Sequence, residues 1–242
     1  MHRGAGDTSA EAFFAKRTSS VAWHSDVSYE QQPPGTTFLY VLDRPATGGD
    51  TLFADAAEAY RRLSPLFQQR LHGLRATHSA VEQAAASLAR GGVQRREPVI
   101  NEHPIVRTHP VTGEKAIYVN PQCTSLDSFP YHPISTPLPR LCYPRTQTPS
   151  MAGTRLTRTT VTRDIVGLKK EESDALLKFL YDHLAYGADF HARVKWEART
   201  VVVWDNRVTQ HSALVDWSDG QRRHLARITP QAETPFETPF EG

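Results

Sequence analysis

Trp23-His24-Ser25-Asp26 sets an imidazole and a carboxylate two positions apart, just ahead of a run of strand-forming residues. Side chains alternate between the faces of a β-strand, so a strand through this stretch points His24 and Asp26 one way and Ser25 the other. Two such ligands, joined by a second histidine from far along the chain, make the 2-His-1-carboxylate facial triad that holds non-heme iron(II) with positions open for oxygen chemistry. A His-x-Asp set alone is weak evidence, because a surface strand with a hydrogen-bonded imidazole looks the same. The existence of a third ligand decides between the two.

Beyond Asp26, Gln32-Pro33-Pro34-Gly35 forces a turn. Residues 36–42 (TTFLYVL), β-branched and aromatic, then read as a buried strand. In Thr47-Gly48-Gly49-Asp50-Thr51 a glycine pair able to take unusual backbone angles precedes a short strand. Asp55-Ala56-Ala57-Glu58 has capping-box spacing and opens a helix to about Leu63, which Ser64-Pro65 restarts toward Leu74. Leu63, Leu66, Phe67, Leu71 and Leu74 recur at helical spacing and mark the face that packs on the sheet, with His72 a partly exposed neighbour. Residues 81–92 are alanine-rich and read as a helix or a flap. Residues 105–108 and 115–119 read as two strands joined by a Pro-Val-Thr-Gly turn. His103 and His109 each precede a proline and lack a same-face carboxylate, which favours structural roles for both.

Residues 124–160 hold six of the 17 prolines and twelve serines or threonines, with neither helical nor strand period, and so read as a disordered insertion. Residues 171–185 form a strong helix with a stripe of Leu176, Leu177, Leu180 and Leu184, stopped by Gly187. Residues 190–196 alternate as a strand that turns Phe190 and Ala192 inward and His191 outward. Residues 200–204 (TVVVW) suit a central strand, and it delivers Asp205-Asn206-Arg207-Val208-Thr209-Gln210-His211, which ends in the candidate third ligand. Farther on, Arg223, Leu225 and Arg227 share one strand face. Arginine is costly to bury unless it meets an anion, and its planar fork suits carboxylates and sulfonate-like groups. The tail from Gln231 repeats Glu-Thr-Pro-Phe and reads as a loose end.

Composition narrows the partner. With 28 basic and 26 acidic side chains the net charge is +2, too balanced to attract nucleic acid or a membrane surface, so a small molecule is expected. Cys123 and Cys142 make no disulfide framework and no zinc-type pair, which suits a reducing compartment. Residues 1–17 carry no apolar stretch of the kind found in secretory signals or membrane spans, so a cytoplasmic location is expected. A length of 242 residues suits one domain, 1–242, interrupted at 124–160. Self-association into a homo-oligomer is left open.

Taken together, His24-x-Asp26, Thr47-Gly48-Gly49-Asp50-Thr51-Leu52, the Trp204 to His211 motif, Arg223 and Arg227 resemble the taurine dioxygenase group of iron(II)/2-oxoglutarate oxygenases, especially its fungal sulfonate dioxygenase members. The resemblance covers residues 21–121 and 165–229. It implies a mainly β fold with flanking helices, a double-stranded β-helix or jelly roll, here shortened at its N-terminus. It further implies that His24, Asp26 and His211 ligate Fe(II), and that Thr51 and Arg223 hold the distal carboxylate of 2-oxoglutarate. Arg227 would anchor a substrate sulfonate, with Trp23, Val27 and Tyr29 lining the substrate pocket. The implied reaction consumes O2 and 2-oxoglutarate and yields succinate and CO2. An alkylsulfonate such as taurine, hydroxylated next to sulfur, collapses to an aldehyde and sulfite. The rival readings are the same chemistry on an alkyl sulfate, an aryloxyacetate or a purine, and a truncated homologue without activity.

Overall fold

A computed structural model of the chain describes residues 23–88, 93–94, 96–121, 161–217 and 221–241. The readings made for residues 1–22 and 124–160, and both cysteines, fall outside them. In chain order the elements are β1 (Thr36–Asp43), β2 (Thr51–Asp55), α1 (Ala56–Arg61), α2 (Pro65–Leu71), β3 (Arg75–Ser79), α3 (Val81–Leu88), β4 (Ile100–Pro104), β5 (Val106–Thr108), β6 (Lys115–Ile117), β7 (Thr162–Ile165), α4 (Lys170–Tyr186), β8 (His191–Val194), β9 (Val201–Asp205), β10 (Thr209–Ala213) and β11 (His224–Ile228).

Every strand pairing is antiparallel. β1 lies between β11 and β9, β2 between β10 and β8, and β3 between β4 and β7, while β5 and β6 form a hairpin. Leu39 and Val41 of β1, Trp204 of β9 and Leu225 of β11 share one core with Phe53 of β2 and Val194 of β8. The first two sheets thus close face to face over common apolar side chains, which is the double-stranded β-helix, or jelly roll. A second core joins Ala56, Ala59 and Tyr60 of α1 to Leu177, Leu180 and Leu184 of α4 and to Val106, Ala116 and Ile117 of the hairpin. Burying each such leucine contributes about 1.5–3 kcal/mol before conformational entropy is counted.

Local chemistry explains the helix boundaries. The Asp55 carboxylate accepts the N–H groups of Ala57 and Glu58 and caps α1. Ser64 caps α2 through the Phe67 N–H, with Pro65 in its first turn. Glu172 reaches back to the Lys169 N–H at the start of α4, and Gly187 follows its end.

Four expectations need correction. The first strand is buried on one face only: Leu39 and Val41 point inward, while Phe38, Tyr40 and Leu42 are exposed beside Val201, Val203 and Ile228. For the same reason β9 is not central: it lies at the edge of its sheet, and β1 holds the middle. At β8 the alternation runs out of phase because Ala188–Phe190 is a 3₁₀ turn; Ala192 is exposed, and His191 is half-buried with Nε2 at 2.6 Å from the Leu184 carbonyl. The tail is not loose. Glu233 accepts from Arg107 and Arg207, the Thr108 N–H donates to the Phe236 carbonyl, and the Lys115 ammonium donates to the Thr238 and Pro239 carbonyls. Arg107, only 1% exposed, needs that carboxylate, and the tail is held by charge rather than by an apolar pattern.

Candidate metal and anion site

The site forms where the start of the described chain meets β10. The His24 N–H donates to the His211 carbonyl at 3.0 Å and the His211 N–H donates to the His24 carbonyl at 2.8 Å. Residues directly opposite across such an antiparallel pair present their side chains on one face, and the two imidazole centroids lie 4.2 Å apart. His24 is therefore a single bridge residue, not part of a strand. The chain turns immediately after it, and Val27 takes a positive φ of 36°. A β-branched residue in that conformation costs on the order of 1–3 kcal/mol. Buried hydrogen bonds hold the turn: Asn120 Nδ2 donates to the Ser25 carbonyl and the Ser28 hydroxyl, and Ser28 Oγ meets His78 Nδ1 at 2.9 Å. The turn, rather than strand alternation, swings Asp26 back toward the histidines.

His24, Asp26 and His211 thereby supply ligand atoms within 4.8 Å of one another, the one such cluster among the described residues. His211 Nε2 stands 4.0 Å from Asp26 Oδ1. Burial, with the neighbouring His24 and Arg227, pushes the His211 pKa well below the usual imidazole value, so its ring is neutral and able to coordinate. Phe53 and Trp204 pack against that ring at 5.9 and 5.1 Å and limit its rotation. Two imidazoles and a carboxylate converging on one point form a donor set that would suit an iron(II)-type ion.

Arg223, one residue ahead of β11, is 2% exposed. Its Nε donates to the Gly49 carbonyl at 2.9 Å and its Nη2 to Thr51 Oγ1 at 3.4 Å, so the two residues expected to act together do meet. The glycine pair makes this approach possible. Gly48 and Gly49 take φ of 77° and 75°, and the Gly49 N–H donates to Asp216 Oδ1 at 2.6 Å. Burial lowers the Arg223 pKa to about 10, against the opposing pull of Asp50 and Asp216. Arg227 shares the face of Arg223 but is not buried; its side chain is 45% exposed, and its guanidinium reaches Asp26 Oδ1 from the open side.

The three residues expected to line a substrate pocket have different immediate neighbours. Trp23 lies tilted against His191, with ring centroids 4.6 Å apart. Val27 supplies the strained turn. Tyr29, its phenol pKa raised by burial, borders a cavity of about 250 Å³ together with Gln83, Arg96 and Val99. His103 and His109 are structural: His103 Nε2 meets the Glu30 carbonyl at 2.8 Å, and His109 Nε2 meets Asp205 Oδ2 at 3.1 Å. His72 meets Glu237 and the Tyr60 hydroxyl. Thr37 and Asn206, both buried against Asp26, carry no ligand-like signal in the sequence.

A jelly roll that brings two histidines and a carboxylate together, with a buried arginine held at Thr51, defines a class: the jelly-roll proteins with a non-heme metal-type donor set. Residues 2–229 match the family described as taurine catabolism dioxygenase TauD, TfdA family, and the chain belongs to it. It is 43% identical over 224 residues to an alpha-ketoglutarate-dependent sulfonate dioxygenase of Saccharomyces cerevisiae, a match covering 93% of this chain and 45% of that protein. It is 42% identical over 226 residues to the alpha-ketoglutarate-dependent dioxygenase cnsP of Penicillium expansum, covering 92% of this chain and 51% of that protein. The crystal structure of a taurine dioxygenase from Burkholderia xenovorans superposes with a TM-score of 0.63 at 30% identity, covering 88% of this chain and 59% of that one. The chain thus spans about half the length of the curated relatives it matches. Among the described residues no helix is long and apolar enough to cross a membrane.

Proposed function

We propose that this chain carries the site of an iron(II)/2-oxoglutarate-dependent dioxygenase acting on a small anionic substrate, an alkylsulfonate foremost, within one domain and in the cytoplasm. The observation that carries the reading is the convergence of His24, Asp26 and His211 ligand atoms within 4.8 Å. Iron(II), when bound, supplies oxygen activation coupled to decarboxylation of 2-oxoglutarate. The protein supplies position. His24, Asp26 and His211 would hold the ion. Arg223 and Thr51 take the far carboxylate of 2-oxoglutarate, and burial of Arg223 strengthens that charge-assisted pair by excluding water. Arg227, poised over Asp26 and half open to solvent, takes the anionic head of the substrate and so places the adjacent carbon–hydrogen bond near the ion. A guanidinium fork binds a sulfonate and a sulfate ester alike, so the leaving group, not the anchor, separates those two substrates.

Anaerobic addition of iron(II) and 2-oxoglutarate is expected to produce a weak visible charge-transfer band. Aerobic turnover with a panel of sulfonates and sulfate esters should then release succinate in step with sulfite or sulfate. Absence of the band and of iron binding at His211, shown by unchanged iron content in His211→Ala, overturns the reading.

A further inference from the structure

Asp26 carries two oxygens, and the hydrogen bonds around it treat them differently. An indole fixes the pattern. Trp204 Nε1–H can only donate, and it lies 3.0 Å from the side-chain amide of Asn206, so the atom facing it is the amide oxygen, Oδ1. The amide nitrogen of Asn206 must then face the other way, where it donates to Thr37 Oγ1 at 2.6 Å. With Asn206 supplying a proton to that oxygen, the single hydroxyl proton of Thr37 is directed to the remaining neighbour, Asp26 Oδ2, at 3.0 Å. Asn206 also receives the Asp26 N–H at 3.4 Å on Oδ1, and its carbonyl takes the Ser25 hydroxyl at 3.0 Å. Thr37 and Asn206 are 0% and 1% exposed, so no solvent competes for these bonds.

The other oxygen, Oδ1, is the one that faces His211 Nε2 at 4.0 Å and meets Arg227. We infer that Thr37 and Asn206 are positioning residues that hold Asp26 as a ligand through one oxygen only, an inference that rests on the metal-site reading proposed above. With the Thr37 proton on Oδ2, that oxygen would be turned from a bound ion. Oδ1 would then be the ligand atom, taken over from Arg227, and a position that a two-oxygen carboxylate would fill would stay open for cosubstrate and oxygen. Hydrogen bonds to the far side of a ligand also fix its orientation, and their loss typically weakens metal binding 10–100-fold.

Thr37→Val keeps the shape and the strand preference of the residue and removes only the hydroxyl, while Thr37→Ser restores it. Asn206→Asp replaces the amide donor with an acceptor, so the Thr37 proton is drawn to residue 206 and away from Asp26. The readout is the infrared difference spectrum on zinc(II) or iron(II) loading of protein carrying ¹³C-aspartate, because the splitting between the two carboxylate stretches is wide for a one-oxygen ligand and narrow for a two-oxygen one. Metal affinity is titrated in parallel. The wild type and Thr37→Ser are expected to show the wide splitting. Thr37→Val is expected to show the narrow one with affinity about 10–100-fold weaker, and Asn206→Asp to follow it. A merely structural role would lower stability without moving the splitting. If Thr37→Val binds metal with wild-type affinity and a wide splitting, the inference falls while the metal site stands. A wild type that binds no metal overturns the site reading and this inference with it.

Discussion

Replacing Arg223 with methionine separates function from stability, because the two should move in opposite directions. Methionine retains length and apolar volume but removes the charge. If the distal carboxylate of 2-oxoglutarate pairs with this buried guanidinium, truncating one partner costs about 2–5 kcal/mol of binding, or roughly a 30- to 4,000-fold weaker affinity. The folded protein meanwhile bears a penalty for holding the charge out of water. Burial lowers the Arg223 pKa from the usual guanidinium range to about 10, a shift equivalent to about 3 kcal/mol against the charged form. Against that relief stand the lost hydrogen bonds to the Gly49 carbonyl and Thr51, about 1–3 kcal/mol together. The urea midpoint of Arg223→Met should therefore hold or rise while 2-oxoglutarate affinity collapses. Calorimetric titration of 2-oxoglutarate into manganese-loaded protein, run beside urea unfolding, reads both. Thr51→Val removes one neutral hydrogen bond and should weaken the same affinity only about 2- to 12-fold. Unchanged affinity in folded Arg223→Met would refute the assignment, and a steep fall in stability would refute the energetic reasoning.

Further predictions follow from the same contacts. Glu233→Ala leaves Arg107 buried without its carboxylate and should lower stability by about 1–3 kcal/mol in urea unfolding; no change would mean that the tail contributes nothing to the fold. Burial, aided by Arg107 and Arg75, lowers the His103 pKa to about 4, so the folded state keeps this ring neutral while the unfolded chain protonates near 6.5. Stability from His103 is therefore full above about pH 6.5 and is lost as pH falls toward about 4, amounting to about 2 kcal/mol by roughly pH 5. His78, held well below the usual imidazole value by burial, acts in the same direction, and a urea midpoint flat between about pH 7.5 and 5 would contradict both. In Gly48→Ala the new methyl would lie 2.7 Å from the Asp216 carbonyl oxygen at a φ of 77°. That variant should lose about 1–3 kcal/mol of stability and bind 2-oxoglutarate less tightly, through displacement of the neighbouring Gly49 carbonyl from Arg223.

The side chains proposed to carry chemistry were readable as candidates because their types are rare in combination: a His-x-Asp, a histidine after an apolar strand, and arginines spaced along a strand near the end of the roll. How they meet was not readable. Strand alternation would have aligned His24 with Asp26, yet Val27 breaks the chain into a turn through a backbone angle its own side chain disfavours, and only buried partners such as Asn120 make that affordable. Thr37 and Asn206 escaped notice because each is ordinary in its local setting and acquires meaning from bonds that span 11 and 180 positions. The apolar runs of β1 and β9 looked buried on both sides because composition does not record which face a sheet turns outward. The tail looked loose because ion pairs such as Glu233 with Arg107, 126 positions apart, leave no periodicity to read.

The backbone bridge between His24 and His211 has a consequence for how the molecule assembles. It joins nearly the first described residue to one near the end of the chain, so loop closure makes it among the more entropically expensive contacts to form, and it is expected to come late in folding. Because the two imidazoles ride on that bridge, an ion bound at the proposed site would be gripped only by chains whose sheet has closed. Ion concentration would then act as a thermodynamic vote for the completed fold, raising apparent stability by about 1.4 kcal/mol for each tenfold excess over the dissociation constant. Unfolding followed at several metal concentrations would therefore report on the closure of the roll itself.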